Sequence, residues 1–551
     1  MNLARRQLLR YGAAGSIAVL LGTSVASSRR FRAPRWLGDP FTLGVASGDP
    51  TPDGVVLWTR LAPDPFAPDG LGGMAMDPVT VDYEIAHDEQ FRRIAARGSA
   101  VATRALAHTV HPEVRGLEPG RWYFYRFRAG QAISPVGRTR TAPPPGHQVQ
   151  RLRFAFASCQ AWSSGYFTAY DHLAAEDLDV VVHLGDYIYE RGWSRGRQGM
   201  TLEPWLYAEA VDLPGYRLRY AQAKAEAPLQ AAHAGFPWLV TLDDHEVDNN
   251  WVSSQPGHGI DIHLIPALFR RRLAAALQAM YEHQPLRIEQ LPSGTTMRLH
   301  RRYRFGDLAD ITMLDTRQYR SPQPCGGNIA TDCTDRFSPE RTVLGAQQRK
   351  WLIDGFARST ARWQIIGNQV AMNQTDYDPG PHTAVGTDAW DGYVAERSLV
   401  LGAAAERGVR NLVVITGDRH ENYAADLRRD PSDPETPVVA AEFIGTSIST
   451  GGNGTDLSSH GRVLLGTNPD LKFCNSQRGY VRVEVDKDLW RSDFRVVPYV
   501  DHPGAPVHTR ASYVVEDTVP GVTPASQSDR GRADATAGAA AEHHSGTEPI
   551  R

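Results

Sequence analysis

The sequence predicts an α/β protein, with mixed β-sheets flanked by helices and preceded by a small antiparallel β-sandwich. Three observations carry this expectation. Between Phe41 and Pro143, short runs such as "VTVDYEIAHD" and "RWYFYRFRAG" alternate apolar and polar residues with period two, and no long amphipathic helix interrupts them. From Arg151 onward, short apolar runs alternate with helical or loop stretches. Several of those later runs end abruptly on residues that can bind metal.

In chain order, the first element is "MNLARRQLLRYGAAGSIAVLLGTSVASS". Arg5 and Arg6 stand side by side, and a weakly apolar stretch follows from Tyr11 to Val25, too short to span a bilayer comfortably. Ser24-Val25-Ala26 supplies a small-x-small cleavage site. Residues 1–26 therefore read as a twin-arginine signal peptide, against the alternatives of an ordinary secretory signal or an uncleaved anchor. The mature chain is then expected near Ser27, with no membrane span, secreted to the periplasm or to the exterior and cell wall. Its first partner is the twin-arginine export machinery, which carries proteins already folded.

The β-sandwich is expected over residues 41–143, an immunoglobulin- or fibronectin-like unit of about a hundred residues. "TAPPPGHQVQ", Thr141 to Gln150, is a Pro-rich linker. The catalytic layer is expected over 151–515. Its β-like runs are "LRFAFASCQ", "LDVVVHLGDYIYE", "FPWLVTLDDHEVDNN", "RFGDLADITMLDTRQYR", "ARWQIIGNQV" and "RNLVVITGDRHENY". "HLIPALFRRRLAAALQAMYEH", His263 to His283, has helical periodicity. The tail 518–551 has few large apolar residues and no period, so disorder is expected there.

Charge excludes one function class. Lys and Arg number 59 against 62 Asp and Glu, a net charge of -3, so no basic field calls for a nucleic-acid partner. Of the four cysteines, Cys325 and Cys333 lie in the short loop "CGGNIATDC" and are expected to form a disulfide in an oxidising compartment. Cys474 reads as a buried, inert thiol. Cys159 ends a strand.

Five strand ends carry candidate ligands: Cys159, Asp186 with Tyr189, Asp243-Asp244-His245, Asn368, and Asp418 with His420. Sites in open α/β sheets form at the carboxyl ends of strands. One Asp at a strand end is usually a cap or turn, but five metal-capable ends between Arg151 and Tyr423 are hard to explain as caps. Carboxylates and an amide are hard donors suited to calcium, magnesium or manganese, whereas thiolate, phenolate and imidazole together suit a high-charge iron. The chain has no Cys-x-x-Cys pair for an all-thiolate zinc site.

These blocks resemble a family. "GDYIYE" matches the Gly-Asp-x-x-Tyr pattern of purple acid phosphatases and other calcineurin-like metallophosphoesterases. "DDHEVDNN" resembles their Gly-Asn-His-Glu block, with Asp244 in place of the asparagine. "TGDRHENY" resembles their final Gly-His-x-His, with Asp418 replacing the first histidine. The departures match one branch: "SCQ", "GDYIYE", "DDHEVDNNW", "LDTRQYR" and "TGDRHENY" together resemble the PhoD-like alkaline phosphatases, and "GVASGDPTPDGVVLWTRLAP" resembles that family's N-terminal domain. The resemblance covers about Phe41 to Val515.

The resemblance implies a calcineurin-like core, one ferric ion and a calcium site. It assigns iron to Cys159, Asp186, Tyr189 and His420, and calcium to Asp186, Asp244, Asn368 and Asp418. Asp243 stands below Asp244 as a ligand, since it could instead cap the following turn. Tyr187 is expected to pack. Cys159 has a rival reading as a core thiol and Asn368 as a backbone partner. His245 is open between leaving-group acid and orienting residue. Arg419, between two ligands, could point away.

The implied activity is a secreted alkaline phosphatase or phosphodiesterase acting on phosphate mono- or diesters by attack of a metal-bound oxygen, for phosphate scavenging. Asp186, Asp244 and His245 are the expected catalytic residues. The rival classes are an exported non-catalytic iron protein and a cell-wall binding protein.

Overall fold

The computed structural model describes residues 36–525, apart from 37, 194–195, 198–202, 258–264 and 434. The signal segment 1–26 lies outside the described residues, as does the tail beyond 525.

Two mixed sheets face each other across one apolar core. In the first, Arg151–Ala157, Val180–His183 and Pro237–Val240 run parallel side by side. Val180–His183 reads Val-Val-Val-His and is buried throughout, as expected for a parallel strand covered on both faces. Arg478–Asp486 adds antiparallel to Arg151–Ala157, and Leu489–Val497, His508–Glu516 and Val519–Pro524 extend that edge. In the second sheet, Ala309–Met313, Trp363–Asn368, Leu412–Thr416 and Val438–Ile444 are parallel neighbours. Phe154, Phe156, Val182, Met313, Ile365, Val413, Ile415 and Phe443 fill the space between the sheets.

Helices cover the outer faces. Thr168–Ala174 and Pro266–His283 pack on the first sheet with Tyr170, Trp238, Phe269 and Leu273 in one cluster. Gly345–Arg358 and Val394–Glu406 cover the second sheet, burying Leu352, Phe356, Val400 and Leu401 against Ile366 and Val414. The helix expected over 263–283 is described from Pro266, with the proline in its first turn, where no N–H is needed. The order is therefore helix, sheet, sheet, helix, with the carboxyl ends of both parallel sets at one end of the molecule.

The N-terminal strands form an antiparallel sheet, Ile94–Ala102, Val79–Ala86 and Trp122–Ala129 in sequence across it. It faces Val45–Thr51 and Gly54–Arg60 over a core of Val45, Leu57, Val81, Ile85, Tyr123 and Phe127. Val45–Thr51 also pairs parallel with Pro237–Val240, matching Ser47 to Pro237 and Gly48 to Trp238. One layer of the N-terminal sandwich and the first of the two facing sheets are thus a single sheet.

The expected disorder from 518 is corrected at its start. Val519–Pro524 is a strand paired with His508–Glu516, and Val522 N–H donates to Asp426 Oδ1 at 2.8 Å. One buried valine and an edge strand that needs a partner outweigh a polar composition. The chain closes the Cys325–Cys333 disulfide, and Cys474 is buried with its thiol pushed up to about 12 by burial.

Candidate metal centre

The strand ends that carry the candidate ligands bend sharply. Cys159, Asp186, Asp418 and His420 all have left-handed backbones, with φ of 60°, 55°, 63° and 55°. Non-glycine residues seldom adopt this region, and such strain collects at functional sites. Gly185, at φ 105°, lets the turn pass within van der Waals contact of Asp243. Glu246 ties two of these ends together, since its carboxylate accepts N–H bonds from Asp186, Tyr187 and Asp243 at 3.0, 2.6 and 2.7 Å. A parallel bridge between Ser158 and Ser447 joins the two sheets beside Cys159.

One group of donors is soft or strongly donating. Ligand atoms of Cys159, Asp186 and His420 lie within 4.8 Å of one another. The Tyr189 hydroxyl donates to Asp186 Oδ2 at 2.9 Å and lies 3.1 Å from His420 Nε2. Thr450 Oγ1 donates to the Cys159 carbonyl at 2.6 Å and stands 3.0 Å from the Tyr189 oxygen. Burial first, and the Asp186 carboxylate second, push the Cys159 thiol and the Tyr189 phenol well above their ordinary values. Burial and the nearby Arg478 push His420 down to about 3, so the ring is neutral and able to bind metal.

A second group is hard. Asp243, Asp244 and Asp418 form one cluster within the same 4.8 Å limit, and Asp186, Asp244 and His245 form another. Burial pushes Asp243 well above the usual carboxylate range, and burial with the Asp244 charge takes Asp418 up to about 6. Burial also acts to raise Asp244, but Arg317, His245 and the Asn250 N–H outweigh it and hold that carboxyl below its usual value. Asp243 Oδ2 and Asp244 Oδ1 are buried with no hydrogen-bond donor. Orphaned carboxylate oxygens facing one cluster are costly unless a cation compensates them. The residues present therefore fit a metal centre, with a thiol-phenol-imidazole side and a carboxylate side that share Asp186.

His245 borders both groups. Its backbone N–H donates to Asp186 Oδ1 at 3.2 Å, its ring Nδ1 lies 2.7 Å from Glu190 Oε2, and its ring lies over Tyr189 with centroids 4.1 Å apart. Burial acts to lower the imidazole, but the Glu190, Asp244 and Asp186 carboxylates outweigh it and raise its pKa well above the ordinary value.

The structure brings together Cys159, Asp186, Tyr189, Asp244, His245, Asp418 and His420, and adds Asp243 to the carboxylate cluster. Asn368 ends the strand Trp363–Asn368. Its Nδ2 bonds to the Val370 carbonyl and to Thr416 Oγ1, and its Oδ1 accepts from Trp390 Nε1 at 3.1 Å, so its described contacts link it to the protein frame. Tyr187 packs away, with its hydroxyl 2.8 Å from His233 Nε2. Arg419 turns to Tyr377 and Tyr423. Sequence reasoning did not single out Glu190, Glu246, Arg317, Asp388 or Thr450. Glu190 and Glu246 sit inside quoted motifs, but Asp388 and Thr450 come from loops with no legible pattern.

Fold and site together define a two-sheet α/β protein with a buried, carboxylate-rich centre at its strand ends. The PhoD-like phosphatase model matches residues 154–494, and the model of that family's N-terminal domain matches 25–143. Alkaline phosphatase D of Bacillus subtilis (strain 168) is 44% identical over 503 residues, which span 91% of this chain and 85% of that protein. A solved structure of PhoD superposes with a TM-score of 0.86 at 45% identity, covering 90% of this chain and 94% of that one. The chain belongs to the PhoD-like alkaline phosphatase family, and it is an enzyme of the phosphoric ester hydrolase class.

Proposed function

We propose that this phosphatase is exported and metal-dependent, that it uses ferric iron and calcium, and that it releases phosphate from mono- or diesters for scavenging. One observation carries the reading: Asp186 belongs at once to the Cys159–His420 group and to the Asp244–His245 group. A carboxylate between a soft and a hard donor set suits two unlike cations held side by side. Cys159, Asp186, Tyr189 and His420 would hold iron; Asp186, Asp244, Asn368 and Asp418 would hold calcium, with Asp243 joining the carboxylate side. Asn368 Oδ1 accepts one hydrogen bond, from Trp390 Nε1, and keeps a second lone pair for a cation. When bound, such ions would supply Lewis acidity toward a phosphoryl group and make water a better nucleophile.

The chain's own residues do the rest. The Glu190 carboxylate lies 2.7 Å from His245 Nδ1 and favours the charged ring over the neutral one. The imidazolium is then able to pass its Nε2 proton to the leaving oxygen of the ester. Glu246 and the left-handed turns hold the donors in register. Export rests on Arg5 and Arg6 and is tested by replacing both with Lys, which should leave precursor in the cytoplasm. No helix among the described residues is long and apolar enough to cross a membrane.

The deciding experiment is metal analysis of natively exported protein, with activity on a monoester and a diester before and after chelation. Chelation should abolish activity before iron is lost, and calcium should restore it. Full restoration by zinc alone would remove the calcium assignment.

A further inference from the structure

Arg317 is fully buried beneath the carboxylate side of the centre. Its Nε donates to Asp243 Oδ1 at 2.6 Å, its Nη2 lies 3.8 Å from Asp244 Oδ1, and its Nη1 lies 2.8 Å from Asp388 Oδ2. Among the described ion pairs it is the only guanidinium or ammonium group to reach Asp243 or Asp244. Asp388 stands outside the cluster and is itself held firmly. Its Oδ1 accepts from Arg320 Nη1 at 3.2 Å and Gln323 Nε2 at 2.6 Å, and its carbonyl accepts from Arg320 Nη2.

The loop that carries Asp388 is braced from the other side. The strand Ala384–Gly386 pairs with Ile329–Thr331, inside the loop closed by Cys325 and Cys333. Arg317 is held by its Nε hydrogen bond to Asp243 and by its ion pair with Asp388, while neither Nη1 nor Nη2 makes a hydrogen bond. It takes Asp243 Oδ1 and leaves Oδ2, which has no donor, for the cluster with Asp244 and Asp418. We propose that Arg317 and Asp388 are a positioning pair that fixes Asp243 and Asp244 for cation binding, with Asp388 acting through Arg317. This rests on the calcium reading above.

Two effects of Asp388 have the same sign. It orients the guanidinium, and it offsets a positive charge that would otherwise oppose a cation a few ångströms away. Lys in place of Arg317 keeps the charge but has no planar fork to span both carboxylates.

The test is calorimetric calcium titration of the iron-loaded, calcium-stripped full chain, with kcat and KM measured alongside. Asp388→Asn should raise the calcium Kd about tenfold, the size seen for partners of ligating groups. Asp388→Glu should recover part of that loss. In an Arg317→Lys background, Asp388→Asn should add little, because the pair acts as one unit. The calcium-free melting temperature of Asp388→Asn should stay near that of the unaltered chain. Unchanged calcium affinity in Asp388→Asn overturns the inference while leaving the calcium reading intact. So does a full further loss in the Arg317→Lys background, or an affinity loss matched by a fall in calcium-free melting temperature. If the unaltered chain binds no calcium in the same titration, the calcium reading fails and the inference falls with it.

Discussion

Glu190 Oε2 lies 2.7 Å from His245 Nδ1, and both groups are buried. The carboxylate favours the charged imidazolium and fixes which nitrogen faces it. Glu190→Gln should lower the His245 pKa, so the alkaline limb of the kcat/KM profile should move to lower pH. The charged form is present below its pKa and lost above it, and a lower pKa therefore ends activity at lower pH. Glu190→Asp should keep part of the limb. A profile unmoved in Glu190→Gln would leave His245 without an acid role.

Tyr187 and Tyr189 have the same side chain and opposite surroundings. Tyr189→Phe removes an oxygen that contacts Asp186, His420 and Thr450. With ferric iron bound, the variant should lose or shift its visible absorbance and turn over more slowly. Tyr187→Phe removes contacts to His233 and to the Gln284 side chain, away from the centre. It should keep colour and turnover at a cost of about 1 kcal/mol in stability. Iron content and absorbance of both folded variants decide the matter.

A methyl group at position 185 has nowhere to go. An added Cβ would lie 2.4 Å from Asp243 Cβ and 2.6 Å from its nitrogen, at a φ of 105° that alanine resists. Gly185→Ala should displace the Asp186 and Asp243 ends together and lower kcat by on the order of a hundredfold. Gly235→Ala meets nothing within 4 Å and should leave kcat unchanged. Retained activity in Gly185→Ala would show that this close approach does not set the geometry of the centre.

The strand ends were legible because each apolar run stops on a chemically distinct group: Val-Val-Val-His before Gly-Asp-Tyr, and Leu-Val-Val-Ile-Thr before Gly-Asp-Arg-His. Asp243 was harder, because a sequence does not say which of two adjacent carboxylates caps a turn. Its orphaned oxygen and its guanidinium partner exist only in three dimensions. Thr450 reaches the centre, and Asp388 reaches Arg317 behind it, from loops without periodicity, and the strand at Val519 owes its order to a neighbouring edge rather than to its own composition. Asn368 ends its strand as the sequence suggests, while the bonds that orient its amide, to Trp390 and Thr416, follow from no spacing rule.

His183 is fully buried, and burial with the nearby Lys224 takes its pKa down to about 3. The unfolded chain binds a proton here below the ordinary value near 6.5, while the native state does not until about 3. The stabilisation is therefore complete above that ordinary value and is lost as pH falls through the interval. His183→Asn should flatten the acid side of the stability profile by up to about 1.4 kcal/mol per pH unit. Denaturant unfolding of both proteins at several values between pH 6 and 4 reads the difference. Parallel profiles would mean that the histidine charges without unfolding the chain.

The pairing of Ser47 with Pro237 and of Arg151 with Asp486 constrains the order in which this chain can become a protein. The first strand made waits for a partner near the middle of the sequence, and that middle sheet waits for strands near its far end. Such non-local closure is slow and leaves unpaired edges exposed until the last strands arrive. Removing the N-terminal strands would strip Pro237–Val240 of its parallel neighbour and bare an apolar edge, so a truncated catalytic half should aggregate rather than behave as a smaller enzyme. The export route proposed above, which carries chains already folded, suits such an order of closure.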